Sequence, residues 1–404
     1  MENKRVLSFP EFYAKGPAIP FYAMLGLFVL GNLLAVINFT EPAWTMALNA
    51  RTAINAVLLW LCPMVFTVSL ILWRMKPWTI GVGVGAMVLM FVLWRVIGSS
   101  NEFRGTVVAV FLALLAYKRD FRVVLKIFLA AHLIIILAAA ICLGLGYATP
   151  RHKLDVDYGI SLGLIYPGHL GRMVYIVLTI AWYLWFQKKT IITTVVFWVT
   201  GFIMNQYVHC LTAALLMFAL PVCWMAAQFI AKHPGPVIVR RIWHGMLIAL
   251  PFLCFALTYL LGQYRIPMHF ALQHTRLYAL AMRFISAGIL FDAYGFALLG
   301  RDINDVQAVT EYRGSFQYTA NIVDNAYIYY LLIFGALFMA AALAWLALAN
   351  RRCIREKDRA LLLIAVFMLG YGLMETVLFQ FEHNFMWFYP LAATVSAIRG
   401  GDGQ

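Results

Sequence analysis

Apolar residues run along this chain in stretches close to the length that crosses a bilayer, about 20 residues, separated by short polar connections. Twelve such stretches can be counted: 21–39, 53–73, 78–98, 105–117, 123–147, 158–187, 190–208, 211–231, 242–262, 325–349, 360–379 and 384–398. The fourth and twelfth are short. The sixth holds Pro167, Gly168, Gly171 and Arg172 and reads as broken or partly re-entrant, a form allowed only where protein or water satisfies the freed backbone. The pattern predicts an all-α fold: one polytopic membrane domain over 1–404 with about 12 transmembrane helices. Residues 263–324 form the one long connection, between the ninth and tenth spans.

Charge tests this count, because a missed span would invert the bias of positive residues beyond it. Odd-to-even connections carry few positive residues: Arg51, Arg104, and Arg151 with Lys153. Even-to-odd connections are basic: Arg74/Lys76, Lys118/Arg119/Arg122, Lys188/Lys189, Lys232/Arg240/Arg241 and Arg351/Arg352/Arg355/Lys357/Arg359. With Lys4, Arg5, Lys15 and Arg399, they predict that both termini are cytoplasmic. The 263–324 loop then lies outside, despite Arg265, Arg276, Arg283, Arg301 and Arg313. Long loops are translocated largely regardless of charge.

Composition agrees: 64% of residues are hydrophobic and 12% charged, about half the charged share of a soluble domain. The net charge of +14 is mostly topological and implies no nucleic acid. Six cysteines without CxxC spacing imply neither a disulfide framework nor a metal site. The first apolar run lacks a small-residue processing site behind it and reads as a retained helix.

Within the long loop, 268–291 has helical periodicity, and His269, Arg276 and Arg283 recur every seven residues. Two helical turns bring each back to within about 20° of the last. This amphipathic helix could meet lipid phosphates or hold one phosphorylated ligand, to which arginine offers a planar, bidentate donor. The loop also supplies Asp292, Asp302, Asp305, Glu311, Asp324 and the aromatics Tyr312, Phe316 and Tyr318. Carboxylates and rings suit sugars, and they are equally ordinary loop residues. Asp324, where the chain returns to the membrane, reads as an N-cap of the tenth helix, alone or together with a catalytic role.

Three segments carry a resemblance. SLGLIYPGHLGRM (161–173) is similar to a Gly-Phe-x-His-Pro-Asn-x-x-Gly segment, with Gly168 where Asn is usual. TRLYALAMRFISAGILFDAYGFALLG (275–300) is similar to a loop helix opening on Arg and followed by a glycine turn, here Tyr294–Gly295. VDNAYIYYLLIFGALF (323–338) resembles an Asp-Asn-x-Tyr helix start with Gly335 ten residues after the Asn. Together they resemble the O-antigen polymerase and ligase superfamily, the Wzy/WaaL-like enzymes. Ligases usually carry His followed by Asn, Ser or Gln where this chain has Asp324–Asn325, which favours the polymerases.

The resemblance implies a membrane glycosyltransferase that needs neither metal nor cofactor and works in the bacterial cytoplasmic membrane, on its extracytoplasmic side. Donor and acceptor would be polyprenyl (undecaprenyl) diphosphate-linked oligosaccharides, and a chain-length regulator is a conceivable partner. Arg276 and Arg283 are expected to stabilise the diphosphate leaving group, with Arg172 and Arg301 behind them. Asp324 is the first choice to take the acceptor proton; Glu382 and His383 are the second. Arg172 is either an intramembrane functional charge or a snorkelling side chain. Glu375 is suspected on the same ground or pairs with one of the arginines. His169 and His209 read as satisfied helix histidines or as contacts to substrate, and Asn325 and Tyr327 join the expected binding set with the third segment. The sequence has no HExxH and no Walker A motif, and the first outside loop offers Glu41 as its only acid. The alternatives are a ligase acting on lipid A core or another acceptor, a flippase of lipid-linked oligosaccharide, and a structural membrane component.

Overall fold

The computed structural model of the chain describes residues 18–72, 77–97, 101–149, 159–233, 235–275, 277–302, 307–313, 316–320 and 324–393. They fold into α1 (Ala18–Leu34), α2 (Ala43–Leu72), α3 (Pro77–Ile97), α4 (Asn101–Leu115), α5 (Phe121–Gly144), α6 (Pro167–Ala181, continued by a π turn over Trp182–Phe186), α7 (Thr190–Gln206), α8 (Leu211–Lys232) and α9 (Val237–Gln263). There follow α10 (Arg265–Leu272), α11 (Tyr278–Tyr294), a hairpin of β1 (Val309–Arg313) and β2 (Phe316–Ala320), α12 (Ala326–Arg355) and α13 (Arg359–Met374).

Six helices are long and apolar enough to cross a membrane: α2, α5, α6 with its π turn, α8, α9 and α12. Four described helices, α1, α4, α7 and α13, are apolar but shorter. Trp60, Met64, Ile191 and Ile238 point outward, each at least 65% exposed. Apolar surface of that kind on helix after helix is stable against lipid and not against water. Between α1 and α2, buried polar residues are paired. Asn32 and Asn55 exchange amide hydrogen bonds of 3.2 and 3.1 Å between α1 and α2, and Arg51 donates to Asn32 at 3.1 Å.

The stretch expected to form the twelfth span departs from the prediction. After α13 the chain makes a 3-10 turn over Thr376–Phe379, a second over Phe385–Phe388, and turns to residue 393; 394–398 lie outside the described residues. This irregular backbone is buried and held from all sides. Trp345 donates to the Trp387 carbonyl (2.8 Å), Arg352 to those of Tyr389 and Pro390 (2.6 and 3.0 Å), and the Lys118 amide to Leu391 (2.9 Å). Non-helical chain at membrane depth is stable only under such cover. These contacts gather the basic 117–122 and 351–359 connections at one end of the bundle, where Tyr183 also donates to Asp358 at 2.6 Å.

The long connection is built differently from the expected single amphipathic helix. Polar Gln273, His274 and Thr275 make a turn, with the Thr275 amide and hydroxyl both donating to the Leu272 carbonyl. His269 is therefore on α10, hydrogen-bonded to Tyr278 at 2.7 Å, and Arg283 is on α11, so the two share no helical stripe. Arg276 lies outside the described residues. Nor does α11 lie on a lipid surface: Ala281 and the run from Phe284 to Phe291 are buried. Its Gly288 meets Gly262 of α9 so closely that a Cβ there would stand 2.3 Å from the Gly262 oxygen. Small residues let the two backbones touch.

The β hairpin was not expected in an all-α chain, although its alternating strands flank Gly314–Ser315, a two-residue hairpin signal. It is clamped to the bundle by buried Arg265, which donates to Glu311 at 2.6 and 2.9 Å, to Asp292 at 2.6 Å and to the Gly262 carbonyl at 3.0 Å. Burial disfavours the Arg265 cation, but these hydrogen bonds outweigh it and raise its pKa above the ordinary arginine value. Arg265→Met should therefore release the hairpin, with a loss of about 3 kcal/mol of local stability, typical of breaking a buried ion pair. Limited proteolysis should show faster cleavage near 307–320 with the helices still protected; unchanged cleavage would mean that the clamp does not hold the hairpin.

Candidate functional site

The site forms where α6, α11, the start of α12 and the end of α13 meet. α6 starts abruptly at Pro167, after extended Tyr166. Its fixed φ and missing N–H make proline a good first helical residue. The preceding residues are tied to the 36–38 loop by Ile165 N–H to the Val36 carbonyl (2.9 Å) and Asn38 N–H to that of Gly163 (2.8 Å). Gly171 then packs on Cys210, whose Sγ would lie 2.5 Å from any added Cβ. The helix thus begins at Pro167, and residues 159–166, counted in the sixth apolar run, are not helical.

One turn into α6, Arg172 is 5% exposed. It donates to Gln380 Oε1 and lies 3.4 Å from Glu375 Oε2. Glu375 ends α13 in extended conformation, so its side chain turns back into the bundle. Arg283 comes from α11, with Nη1 on the Ala279 carbonyl (2.6 Å) and Nη2 3.9 Å from Asp324 Oδ2. The charges of Arg172, Asp324 and Arg283 all act on Glu375, and those of Glu375, Arg172 and Arg283 on the Cys210 thiol. These residues form one electrostatic cluster. Both arginines keep a buried Nε–H without a partner, as does His169 its Nδ1 beside the Tyr166 ring. Such groups are rare and call for an explanation.

Asp324 does not cap α12. That role belongs to Asn325, whose Oδ1 accepts from the amides of Tyr327 (3.1 Å) and Ile328 (3.2 Å) while its Nδ2 donates to the Leu373 carbonyl (2.8 Å). Asn325 and Tyr327 are fully buried, and the Tyr327 hydroxyl donates to the Leu369 carbonyl at 3.1 Å. Both hold the end of α13 against the start of α12 instead of facing a ligand. The Asp324 carboxylate stays half exposed at the mouth of the cluster.

Arg301 is anchored elsewhere. Its guanidinium stacks on Tyr294 at 5.1 Å and donates to the Tyr294 carbonyl, while its backbone docks into a break in α12. At Gly335 (φ 82°, ψ 175°) the helix opens, and residues 297–301 fill the gap. The amides of Ala336 and Leu337 donate to the carbonyls of Ala297 (2.9 Å) and Leu298 (3.2 Å), and the Arg301 amide to Ile333 (3.0 Å).

Residue by residue, the structure brings together Arg172, Arg283, Asp324 and Glu375, with His169 on the same helix turn as Arg172. His383 is buried three residues beyond Gln380, and Glu382 is half-buried beside it. Gln380 and His132 were missed. Gln380 sits in the short turn between the eleventh and twelfth apolar runs, where the ionisable Glu382 and His383 stand out more than a neutral amide. His132 carried a signal, an ionisable residue near the middle of an apolar helix. No group of three metal-ligating side chains occurs among the described residues. Compared with family models, curated proteins and solved structures, the chain matches none.

Proposed function

We propose that this protein is a polysaccharide polymerase of the bacterial cytoplasmic membrane, transferring glycan from polyprenyl diphosphate onto a lipid-linked repeat unit at the outer face. The observation that carries this reading is convergence: residues 161–173, 275–300 and 323–338, distant in sequence, each contribute to the Arg172–Glu375–Arg283–Asp324 cluster. The orientation rests on charge. The basic 117–122 and 351–359 connections meet at the Arg355 end of α12, about 45 Å along the helix from Asp324, and the positive-inside rule would put that end in the cytoplasm. On this view the twelve crossings are eleven helices and the irregular 375–393 segment.

In the proposed step a hydroxyl oxygen of the acceptor attacks the anomeric carbon of the donor. The bond from that carbon to the diphosphate oxygen breaks, and its electron pair leaves with the polyprenyl diphosphate. Arg172 and Arg283, fixed before the reaction and with spare N–H donors, would stabilise the charge that develops there. Asp324, half exposed and 3.9 Å from Arg283, would take the hydroxyl proton. Asp324→Asn and Arg283→Gln should each leave protein levels normal and lower chain growth at least about 100-fold, so that surface glycan stops near one repeat on gels. Long chains in both variants would exclude the cluster from the chemistry. Finished chains accumulating on polyprenyl lipid would identify a ligase instead.

A further inference from the structure

Behind the arginine cluster lie two histidines whose proton positions the geometry decides. His132 on α5 and His383 in the irregular segment are 0% and 1% exposed, their rings 5.3 Å apart. Nδ1 of His132 is 2.8 Å from the Phe128 carbonyl, and Nε2 of His132 is 3.1 Å from Nδ1 of His383. A carbonyl oxygen only accepts, so His132 carries its proton on Nδ1. With Arg172 acting on both rings, a further buried cation here would be costly. Neutral His132 then has a bare Nε2, which must accept, so His383 carries its proton on Nδ1. The remaining nitrogen, Nε2 of His383, is bare. It lies on the ring edge opposite His132. Apart from His132, the charged and titratable groups that act on His383 are Arg172 and His169 of α6, and Gln380, one turn before it, holds the Arg172 guanidinium.

We propose that His132 is a positioning residue: through the Phe128 carbonyl it fixes the tautomer of His383, whose bare Nε2 accepts a hydrogen bond from a sugar hydroxyl beside the diphosphate-binding arginines. An acceptor there selects a hydroxylated sugar and disfavours an anionic oxygen. For its ligand the inference rests on the glycan-transfer reading; for the tautomer it does not.

The two parts can be tested separately with full-length protein. Nitrogen-15 NMR of histidine-labelled protein in lipid nanodiscs should show His383 protonated on Nδ1 and bare on Nε2. His132→Leu removes the acceptor and should mix the tautomers of His383, while reducing chain growth in cells about tenfold, the effect of one hydrogen bond in the transition state. In His132→Gln, Oε1 stands where the imidazole Nε2 stood and can still accept. It should keep the tautomer and restore growth to within about twofold of the parent. A proton on Nε2 of His383 in the parent protein would overturn the proposal. So would an unchanged tautomer in His132→Leu, or a His132→Gln variant no better than His132→Leu, which would leave His132 a packing role only. If Asp324→Asn and Arg283→Gln both keep long chains, the glycan reading and the sugar contact with it fall, and the tautomer measurement still decides the role of His132.

Discussion

If the protein is the polymerase proposed, replacing Arg172 by methionine should end chain growth: long glycans should disappear, with transfer reduced about 100- to 1000-fold, the usual loss when one preorganised donor to a developing negative charge is removed. The single substitution also strands Glu375, whose side chain is 18% exposed, and an unpaired buried charge destabilises by about 3 kcal/mol. Failure to fold would mimic failure to react. The informative variant is therefore Arg172→Met with Glu375→Gln, which removes both charges at once. Its thermal stability in detergent should return close to that of the parent while long chains stay absent. A double variant that restores both would reduce the pair to a structural tie. Arg172→Lys should fall between, since an ammonium keeps the charge and loses the fork that reaches Gln380 and Glu375 together.

The second large effect is expected at the break in α12. Gly335 has a φ and ψ open essentially to glycine alone, and a Cβ there would stand 2.2 Å from the Gly300 nitrogen; one on Gly300 would stand 2.0 Å from the Ile333 oxygen. Gly335→Ala or Gly300→Ala should drive residues 297–301 out of the gap. The cost combines backbone strain of about 1–3 kcal/mol with three displaced hydrogen bonds of about 1 kcal/mol each. That is a large part of the ordinary stability of a domain. Both variants should melt well below the parent in detergent and accumulate poorly. Gly295 also has a positive φ (63°) but open space where its Cβ would go, so Gly295→Ala should show strain alone, about 1–2 kcal/mol. Equal melting of all three would show that the docked loop adds nothing.

Much of this architecture was legible in apolar run lengths. α5, α8, α9 and α12 stand within about six residues of their runs, α2 (Ala43–Leu72) starts ten residues before its run, and Pro167 marks the start of α6. Glu375 does pair with an arginine, one of the two readings its intramembrane position allowed. What escaped has a common cause: hydropathy records how apolar a segment is, not whether its backbone is helical. Residues 384–393 are as apolar as a span, yet Asn384 breaks the helix by accepting from the Met386 amide and donating to the Leu378 carbonyl. The cap of α12 was misassigned between neighbours because Asp and Asn are equally good at accepting from a helix start. Here the position also requires a donor to Leu373, and a carboxylate has none. The break of the 268–291 helix came from a three-residue polar turn that heptad spacing passes over.

The irregular segment after α13 has a consequence for how the protein is made. A backbone without a continuous helical ladder cannot partition into lipid alone, because each open amide or carbonyl there costs several kcal/mol. Residues 375–393 can settle only into a groove already walled by α4, α5 and α12, where Trp345, Arg352, His132 and the 118–121 backbone supply hydrogen bonds. Maturation of this protein is therefore expected to end with a threading step after the helices have been inserted. That step carries Gln380 to the Arg172 guanidinium and His383 to His132.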